Sequence, residues 1–279
     1  RLRVVTFWLL LKLSKWRGTK IIWTIHDENP HVVLHQALAS WFQNQLVACT
    51  DAHISLCDAG LIAVDKALPR LANKPSFVVP HGHYRGCYPD ELSREEARSH
   101  LHLPPETTAL LYLGYISPYK NVPHLVNTFG HLLNKTESGK ITLIIAGKPD
   151  NDELEQAVRL AAEHDDRIQL HLRFIQDDEL QIFFKAADLV VLPFEEILNS
   201  GSLLLSLSFN RPVLAPDLGA VSDWKTLIGS DWIRTYQGVL TPEILREAVQ
   251  MKLLLPTEAP LNFLDWDAIA QQTLEAYQS

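Results

Sequence analysis

Short apolar runs alternate along this chain with longer stretches whose apolar positions recur at helical spacing. Residues 21–26 (IIWTIH), 53–56 (HISL) and 76–80 (SFVVP) read as strands, and 35–50 and 59–68 as helices. The pattern restarts after residue 92. Ser93 followed by Glu96 is a capping box that opens a helix in SREEARSHLHL. Strands are then predicted over 109–115, 140–147, 168–173, 189–194 and 212–216. Helices are predicted between them over 122–134, 152–164, 177–188 and 202–209, with a last amphipathic helix over 263–279. Strand alternating with helix means βαβ units and parallel sheets, here in two Rossmann-like layers. The first layer is short, with about three strands where a doubly wound sheet has about six. A portion N-terminal to Arg1 and outside this chain would account for that and for a first residue other than Met.

The length of 279 residues fits two domains at about 150 residues each. With 47% apolar and 21% charged residues, collagen, coiled coil and extended disorder are excluded. A net charge of −8 gives no general attraction to nucleic acid. Cys49, Cys57 and Cys87 form no C-x-x-C and are odd in number, so a reducing, cytoplasmic setting is the simplest expectation. The apolar stretch at 4–13 is too short to span a membrane, which takes about 20 residues, and it lacks a signal cleavage site. Charge is uneven, however. Arg1, Arg3, Lys12, Lys15, Arg17 and Lys20 all precede the first acid, Asp27. Two readings follow for residues 1–20: peripheral contact with the anionic cytoplasmic face of a membrane, or a buried helix whose cations point to water.

Several chemistries are absent. No glycines stand as G-x-G, so there is no dinucleotide fingerprint, and there is no G-x-x-x-x-G-K-[ST]. His31 and His35 are four apart, but Val stands where a zinc protease carries its Glu. No metal site is expected. Asp265-Trp266-Asp267 is formally D-x-D, yet it opens the terminal helix, where acids complement the dipole.

The positive signals lie at strand ends, where ligands sit in open α/β sheets. Strand 109–115 reaches Gly114 and Tyr115 and runs into a loop with Lys120 just before a helix. An ammonium there can neutralise a diphosphate. The polar turn Asn199-Ser200-Gly201-Ser202 opens the helix at 202–209, and its small residues leave backbone N–H groups free to face an anion. The same residues also make an ordinary N-cap. TIHDENPH (24–31) places His26, Asp27 and His31 at a third strand end, with groups suited to sugar hydroxyls and proton traffic. VVPHGHY (78–84), with His81, follows a fourth.

These segments occur in the order found in GT-B glycosyltransferases, and the chain resembles the large retaining family 4 (glycosyl transferases group 1) over residues 20–279. LYLGYISPYKNVPHLVNTF resembles that family's G-R-x-x-x-x-K-G segment, and LIIAGKPDNDEL its L-x-I-x-G strand and loop. DDELQIFFKAADLVVLPF resembles L-x-x-x-Y-x-x-A-D-x-x-x-x-P-S, NSGSLLLSLSFNRPVLAP resembles G-x-x-x-x-E-A-x-A-x-G-x-P-V-x-A, and VVPHGHY resembles V-I-P-N-G-V-D. Two departures stand out. The family's first phosphate-binding Arg is Tyr115 here, although Lys120 is kept. Its paired Glu would fall at Ile197 and Leu205, with Glu195 and Glu196 near the first position.

The resemblance implies an α/β GT-B architecture of two Rossmann-like domains facing across a cleft, the N-terminal one incomplete in this chain. Residues 1–92 would lie on the acceptor side, 93–262 would bind the donor, and 263–279 would cross back to the first domain. It implies transfer of a hexosyl group, with retention, from a nucleotide-diphosphate sugar to a glycan or glycolipid, without metal or other cofactor. Lys120 and His26 would serve the chemistry. Gly114, Tyr115, Gly147, Lys148, Phe174, Ile175, Glu195, Glu196, Asn199, Ser200, Gly201 and Ser202 would meet the donor, and Asp27, His31 and His81 the acceptor. In such enzymes the donor phosphate helps deprotonate the acceptor, so no side-chain base is required. The departures leave two alternatives open: a sugar-nucleotide-binding protein without turnover, and a GT-B nucleotide-sugar epimerase.

Overall fold

The computed structural model describes residues 2–26, 36–132, 140–197, 199–250 and 258–278. The chain divides into two compact units, Arg1–Gly82 with Leu264–Ser279, and His83–Phe263.

The first unit opens with α1 (Leu2–Trp16). Strands β1 (Ile22–Ile25), β2 (Ala52–Ser55) and β3 (Ser76–Val78) form a parallel sheet in that order. Helices α2 (Gln36–Cys49) and α3 (Asp58–Ala67) make the crossovers. Ile25, Val47, Val64 and Leu71 form the buried core, with Trp23 and Leu68 against it. Helix α1 packs on α2 through Phe7–Phe42 and Trp8–Trp41 ring contacts at 5.8 and 5.7 Å. Trp8 Nε1–H donates to Gln45 Oε1 at 3.1 Å, and Lys15 holds both oxygens of Asp51 at 2.6 and 2.8 Å. Of the two readings for residues 1–20, the buried helix holds for the side that meets α2, while Leu9, Leu10, Leu13 and Trp16 are exposed in this chain.

The second unit begins with α4 (Arg94–His100), whose Ser93–Glu96 capping box is formed in both directions. It continues through β4 (Thr108–Leu113), α5 (Val122–Gly130), β5 (Ile141–Ala146), α6 (Asp152–Ala162), β6 (Ile168–His171) and α7 (Leu180–Ala186). Then come β7 (Leu189–Val191), α8 (Gly201–Ser208), β8 (Val213–Pro216), α9 (Ala220–Ile228), β9 (Ile233–Tyr236) and α10 (Pro242–Gln250). The strands make one parallel sheet in the order β6-β5-β4-β7-β8-β9. Leu110, Leu111, Leu143, Ile144, Val190 and Val191 are fully buried, because helices on both faces make the strands apolar throughout. The strand order reverses between β4 and β7. The crevice beyond the carboxyl ends at such a point is where ligands bind in this architecture.

At the opposite ends of the same strands, Asp188 knits the sheet to α4. It accepts from Arg98 at 2.7 Å, from Arg94, and from the Ala109 N–H at 2.8 Å.

Three expectations are corrected. Strands stop earlier than their apolar runs: β4 ends at Leu113 because Gly114 turns with φ 149°, and β7 ends just before Pro193, which has no N–H for a ladder. Residues 217–250 hold α9, β9 and α10, for which no element was predicted. The unit boundary falls at Gly82 and not at 92. Tyr84 N–H donates to Ser208 Oγ at 2.9 Å, and Arg85 Nη2 to Asn210 Oδ1 at 3.0 Å and Ala259 O at 2.7 Å, which ties this loop into the second unit.

The last helix, α11 (Trp266–Gln278), belongs to the first unit. A Cβ on Gly82 would lie 2.7 Å from the Trp266 indole, and His81 meets that ring edge-on with centroids 5.6 Å apart. Asp265 and Asp267 sit at the start of α11, where the Asp265 carbonyl accepts the Ile269 N–H at 3.0 Å. Among the described residues no helix is long and apolar enough to cross a membrane.

Candidate functional site

Three chain segments of the second unit meet beyond the ends of β4 and β5. The first is the pair Gly114 and Gly147, with φ 149° and 151°. Gly114 N–H donates to Ala146 O at 3.0 Å, which draws the two strand ends together. A Cβ on Gly114 would lie 3.6 Å from Lys120 Nζ, 3.6 Å from Ser202 Oγ and 3.9 Å from the Tyr112 hydroxyl. The space that a side chain at 114 would fill is therefore bordered by an ammonium and two hydroxyls.

The second segment is the 3-10 turn Pro118–Lys120. Lys120 Nζ lies 5.9 Å from the Tyr119 ring centroid and 5.5 Å from that of Phe194. Burial lowers the pKa of this ammonium below the ordinary lysine value, and no neighbouring acid raises it back. Among the described residues it has no carboxylate partner.

The third segment is the start of α8. Ser200 caps it, its hydroxyl accepting the Leu203 N–H at 3.2 Å. The first N–H groups of the helix, from Gly201 and Ser202, have no partner within the helix, and its dipole favours negative charge here. Gly201 is exposed, so its backbone is approachable. A Cβ on Gly201 would meet the Tyr84 hydroxyl at 3.2 Å. Tyr84 and Tyr112 are the site residues that sequence reasoning passed over. Tyr84 stands at the end of the VVPHGHY motif and could have been taken from it; Tyr112 reads as an ordinary core position, is fully buried, and donates its hydroxyl to Tyr115 O at 3.0 Å.

The remaining donor-side residues divide. Tyr115 is exposed and donates its hydroxyl to Asp150 Oδ1 at 2.9 Å, so the position of the family's Arg carries no charge. After β6, Arg173 clamps Glu179 at 2.7 and 2.5 Å, and the Gln176 N–H adds a bond of 3.0 Å to the same carboxylate. Together, Arg173 first, they depress the Glu179 pKa to about 2. This fixes a loop in which Ile175 is buried and Phe174 is 61% exposed. Glu195 and Glu196 are exposed, and the Glu195 N–H donates to Tyr119 O at 2.8 Å, bracing the Lys120 turn. Ile197 is buried, and Leu205 lies within α8. Lys148 is exposed, and among the described residues only its carbonyl is engaged, accepting the Ile116 N–H at 2.9 Å. Asn199 is half-buried one residue before the cap.

On the first unit, His26 is exposed at the end of β1. His81 is half-buried, its Nδ1 2.6 Å from Gly82 O. Asp27 and His31 lie outside the described residues. Among the described residues no three His, Cys, Asp or Glu side chains converge as metal ligands.

A lone ammonium, a glycine-lined strand end and a helix N-terminus at the switch point of a doubly wound sheet form an arrangement suited to a phosphorylated ligand. Residues 107–250, just over half of the chain, match the Glycosyl transferases group 1 family, and the chain belongs to that family. It is 29% identical over 273 residues to a GDP-mannose:glycolipid 4-beta-D-mannosyltransferase of Xanthomonas campestris pv. campestris, covering 96% of this chain and 71% of that protein. It is 26% identical over 213 residues to a lipopolysaccharide 1,2-N-acetylglucosaminetransferase of Salmonella typhimurium, covering 74% of this chain and 54% of that protein. Among solved structures it is similar to Anabaena Alr3699/HepE in complex with UDP and glucose, with TM-score 0.74, 14% identity, and 96% and 74% of the two chains covered. Sucrose-phosphate synthase from Thermosynechococcus elongatus gives TM-score 0.65 and 17% identity over 97% and 71%. The fold is that of the GT-B glycosyltransferases, and the protein is a glycosyltransferase.

Proposed function

We propose that the protein transfers a hexosyl group from a nucleotide-diphosphate sugar to a glycolipid, and that the second unit binds the donor. The observation that carries this is Lys120: a half-buried ammonium without a carboxylate partner among the described residues, beside the open start of α8. When the bond from the anomeric carbon to the diphosphate breaks, negative charge develops on the departing phosphate oxygen. Lys120, the Ser202 hydroxyl and the first N–H groups of α8 stabilise that charge, a term worth about 3 kcal/mol for one donor group. Gly114 keeps the space open, and exposed Phe174 offers a face to the base. No side chain need be deprotonated for this step.

The glycolipid acceptor is supported by the names of the Xanthomonas and Salmonella relatives. For stereochemistry, retention is the reading that the family resemblance supports, with the donor phosphate taking the acceptor proton. Inversion is the second reading. The Xanthomonas relative is named for a β linkage, and a β product from an α-linked donor requires inversion and a side-chain base on the acceptor side, for which His26 is the described candidate. The reaction belongs to the cytoplasmic side, where nucleotide sugars are available, and needs no metal.

The test is calorimetric titration of UDP and GDP into the intact protein and Lys120→Ala, followed by transfer to a glycolipid extract with the anomer read by NMR. Binding of one nucleotide that is lost in Lys120→Ala, with glycolipid product, supports the reading. Binding without transfer or donor hydrolysis indicates a non-catalytic binder, and a changed free sugar nucleotide without acceptor indicates an epimerase. Equal binding by Lys120→Ala moves the donor site elsewhere.

A further inference from the structure

We propose that Ser208 and Asn210, at the far end of α8 from the donor phosphates, are positioning residues that act through Tyr84 and set its hydroxyl at the open start of the helix. The inference rests on the donor-site reading above and deepens it. Tyr84 runs along α8. Its N–H donates to Ser208 Oγ at 2.9 Å, in the last turn. Its hydroxyl stands 3.2 Å from the Cβ position of Gly201, the first residue. The two ends of this eight-residue helix are about 10 Å apart at about 1.5 Å per residue. One tyrosine therefore joins the phosphate end of α8 to its opposite end.

The backbone of Tyr84 is fixed on both sides. The Ser208 hydroxyl gives its own proton to Leu204 O at 2.6 Å, which leaves the oxygen to accept from Tyr84. The Tyr84 carbonyl accepts the Cys87 N–H at 3.0 Å. The next residue, Arg85, is held by Asn210, whose Oδ1 accepts both Arg85 Nη2 and the Ala259 N–H at 3.0 Å. The same Nη2 donates to Ala259 O at 2.7 Å. Asn210 follows α8 with φ 55°, the left-handed conformation in which helices end and which Asn tolerates. The Tyr88 ring, 6.1 Å from that of Tyr84, borders the phenol. Burial, with Tyr88 and Cys87 nearby, raises the Tyr84 pKa, so the group stays an uncharged O–H donor at neutral pH. An O–H···O bond holds over about 2.5–3.0 Å, so a backbone shift of about 1 Å at Tyr84 is enough to lose a phosphate from its reach. Residues that served packing alone would change the melting temperature and leave the affinity of the folded protein as it was.

The test is a set of double-mutant cycles in the intact protein, read by calorimetric titration of UDP and of GDP. Tyr84→Phe is expected to weaken binding about thirtyfold, as for a lost hydrogen bond to a charged group. Ser208→Ala and Asn210→Gly are each expected to weaken it about fivefold when Tyr84 is present, a partial loss of that bond. In the Tyr84→Phe background neither has a further effect, because positioning has no value once the hydroxyl is gone. Asn210→Gly keeps the left-handed backbone and loses only the carboxamide. Asn210→Asp keeps the oxygen that Arg85 and Ala259 use and is expected to bind like the wild type. Circular dichroism melting shows which variants fold; where Ser208→Ala does not, Asn210→Gly and Arg85→Met carry the test. Unchanged affinity in Tyr84→Phe, unchanged affinity in the folded distal variants, or an equal loss with and without the Tyr84 hydroxyl overturns the inference alone, provided Lys120→Ala still loses the nucleotide. Equal binding by Lys120→Ala, or no binding of either nucleotide by the intact protein, overturns the donor-site reading and this inference with it.

Discussion

A Cβ on Gly147 would lie 1.8 Å from the carbonyl oxygen of Gly114. Each glycine follows a strand end with positive φ, and the Gly114 backbone occupies the room that a side chain on Gly147 would need. Gly147→Ala combines overpacking against backbone, about 1–3 kcal/mol, with a strained dihedral of about 1–3 kcal/mol. A loss of about 3 kcal/mol or more is expected on thermal melting, and a wild-type Tm would contradict it. Gly114→Ala carries the same dihedral strain, about 1–3 kcal/mol, but meets its neighbours only at 3.6 Å, so it is expected to lose less stability than Gly147→Ala and to weaken nucleotide binding as well.

The pH dependence of donor binding follows from Lys120. Burial makes its ammonium give up its proton more readily than an ordinary lysine. Binding an anion needs the protonated form, so affinity is full below this pKa and is lost as pH rises through it. Bound diphosphate raises the pKa, so the alkaline limb lies higher for kcat than for kcat/KM. Lys120→Arg is expected to move the kcat/KM limb upward, and Lys120→Ala to remove it and raise the barrier by about 3 kcal/mol. A limb that does not move in Lys120→Arg would assign the titration to another group.

At the start of α8, Gly201→Val should abolish nucleotide binding while the second unit stays folded. Gly201 is exposed with ordinary φ, but its side chain would lie over the first N–H groups and against Tyr84. Tyr84→Phe removes one hydroxyl next to that position. If the hydroxyl donates to a phosphate, the loss is about 2 kcal/mol, as for hydrogen bonds to charged groups. Calorimetry with the nucleotide diphosphate checks both, and undiminished affinity in either would remove that residue from the site.

Asp188 is expected to serve stability alone. Asp188→Asn leaves the Arg98 guanidinium, whose side chain is 4% exposed, without its counter-charge. Breaking such a pair costs about 3 kcal/mol. Chemical denaturation should show that loss, while nucleotide affinity of the folded protein stays within error of the wild type.

The Arg173–Glu179 clamp gives an acid-range signature. The carboxylate pKa is depressed from 4.5 to about 2, so the clamp's stabilisation is present above 4.5 and lost as pH falls toward 2. An NMR titration of the Glu179 carboxyl carbon should show a midpoint near 2. A midpoint at the ordinary value would mean that the clamp is not formed in solution.

The alternating architecture was legible because the strands of the second sheet are buried on both faces, so that ALLYL and ITLIIA read as unbroken apolar runs. The region after 216 was less so. β9 is four residues, IRTY, with two polar positions, and raises no strong period, whereas α10 does carry apolar positions at helical spacing, with Leu245 and Ala248 buried, and was legible but not read. At the site, Lys120, Gly114 and Ser202 could be named because each follows a strand or opens a helix. Tyr84 could have been named as the last residue of the VVPHGHY motif, but its place beside Gly201, more than a hundred residues along the chain, was not legible. The idle side chain of Lys148 was equally hidden, because sequence position says that a residue is at a strand end but not where its ammonium goes.

The fit of Gly82 against Trp266 has a consequence for biosynthesis. The chain leaves the first unit at Gly82 and rejoins it at Leu264. On the ribosome the second unit is therefore complete while the first still lacks its closing helix. Domains fold largely as they emerge, so the half made first is the half finished last. Until α11 is released from the exit tunnel, the glycine that receives its indole lacks that partner, and a nascent chain stalled before that point holds a finished second unit and an unfinished first one.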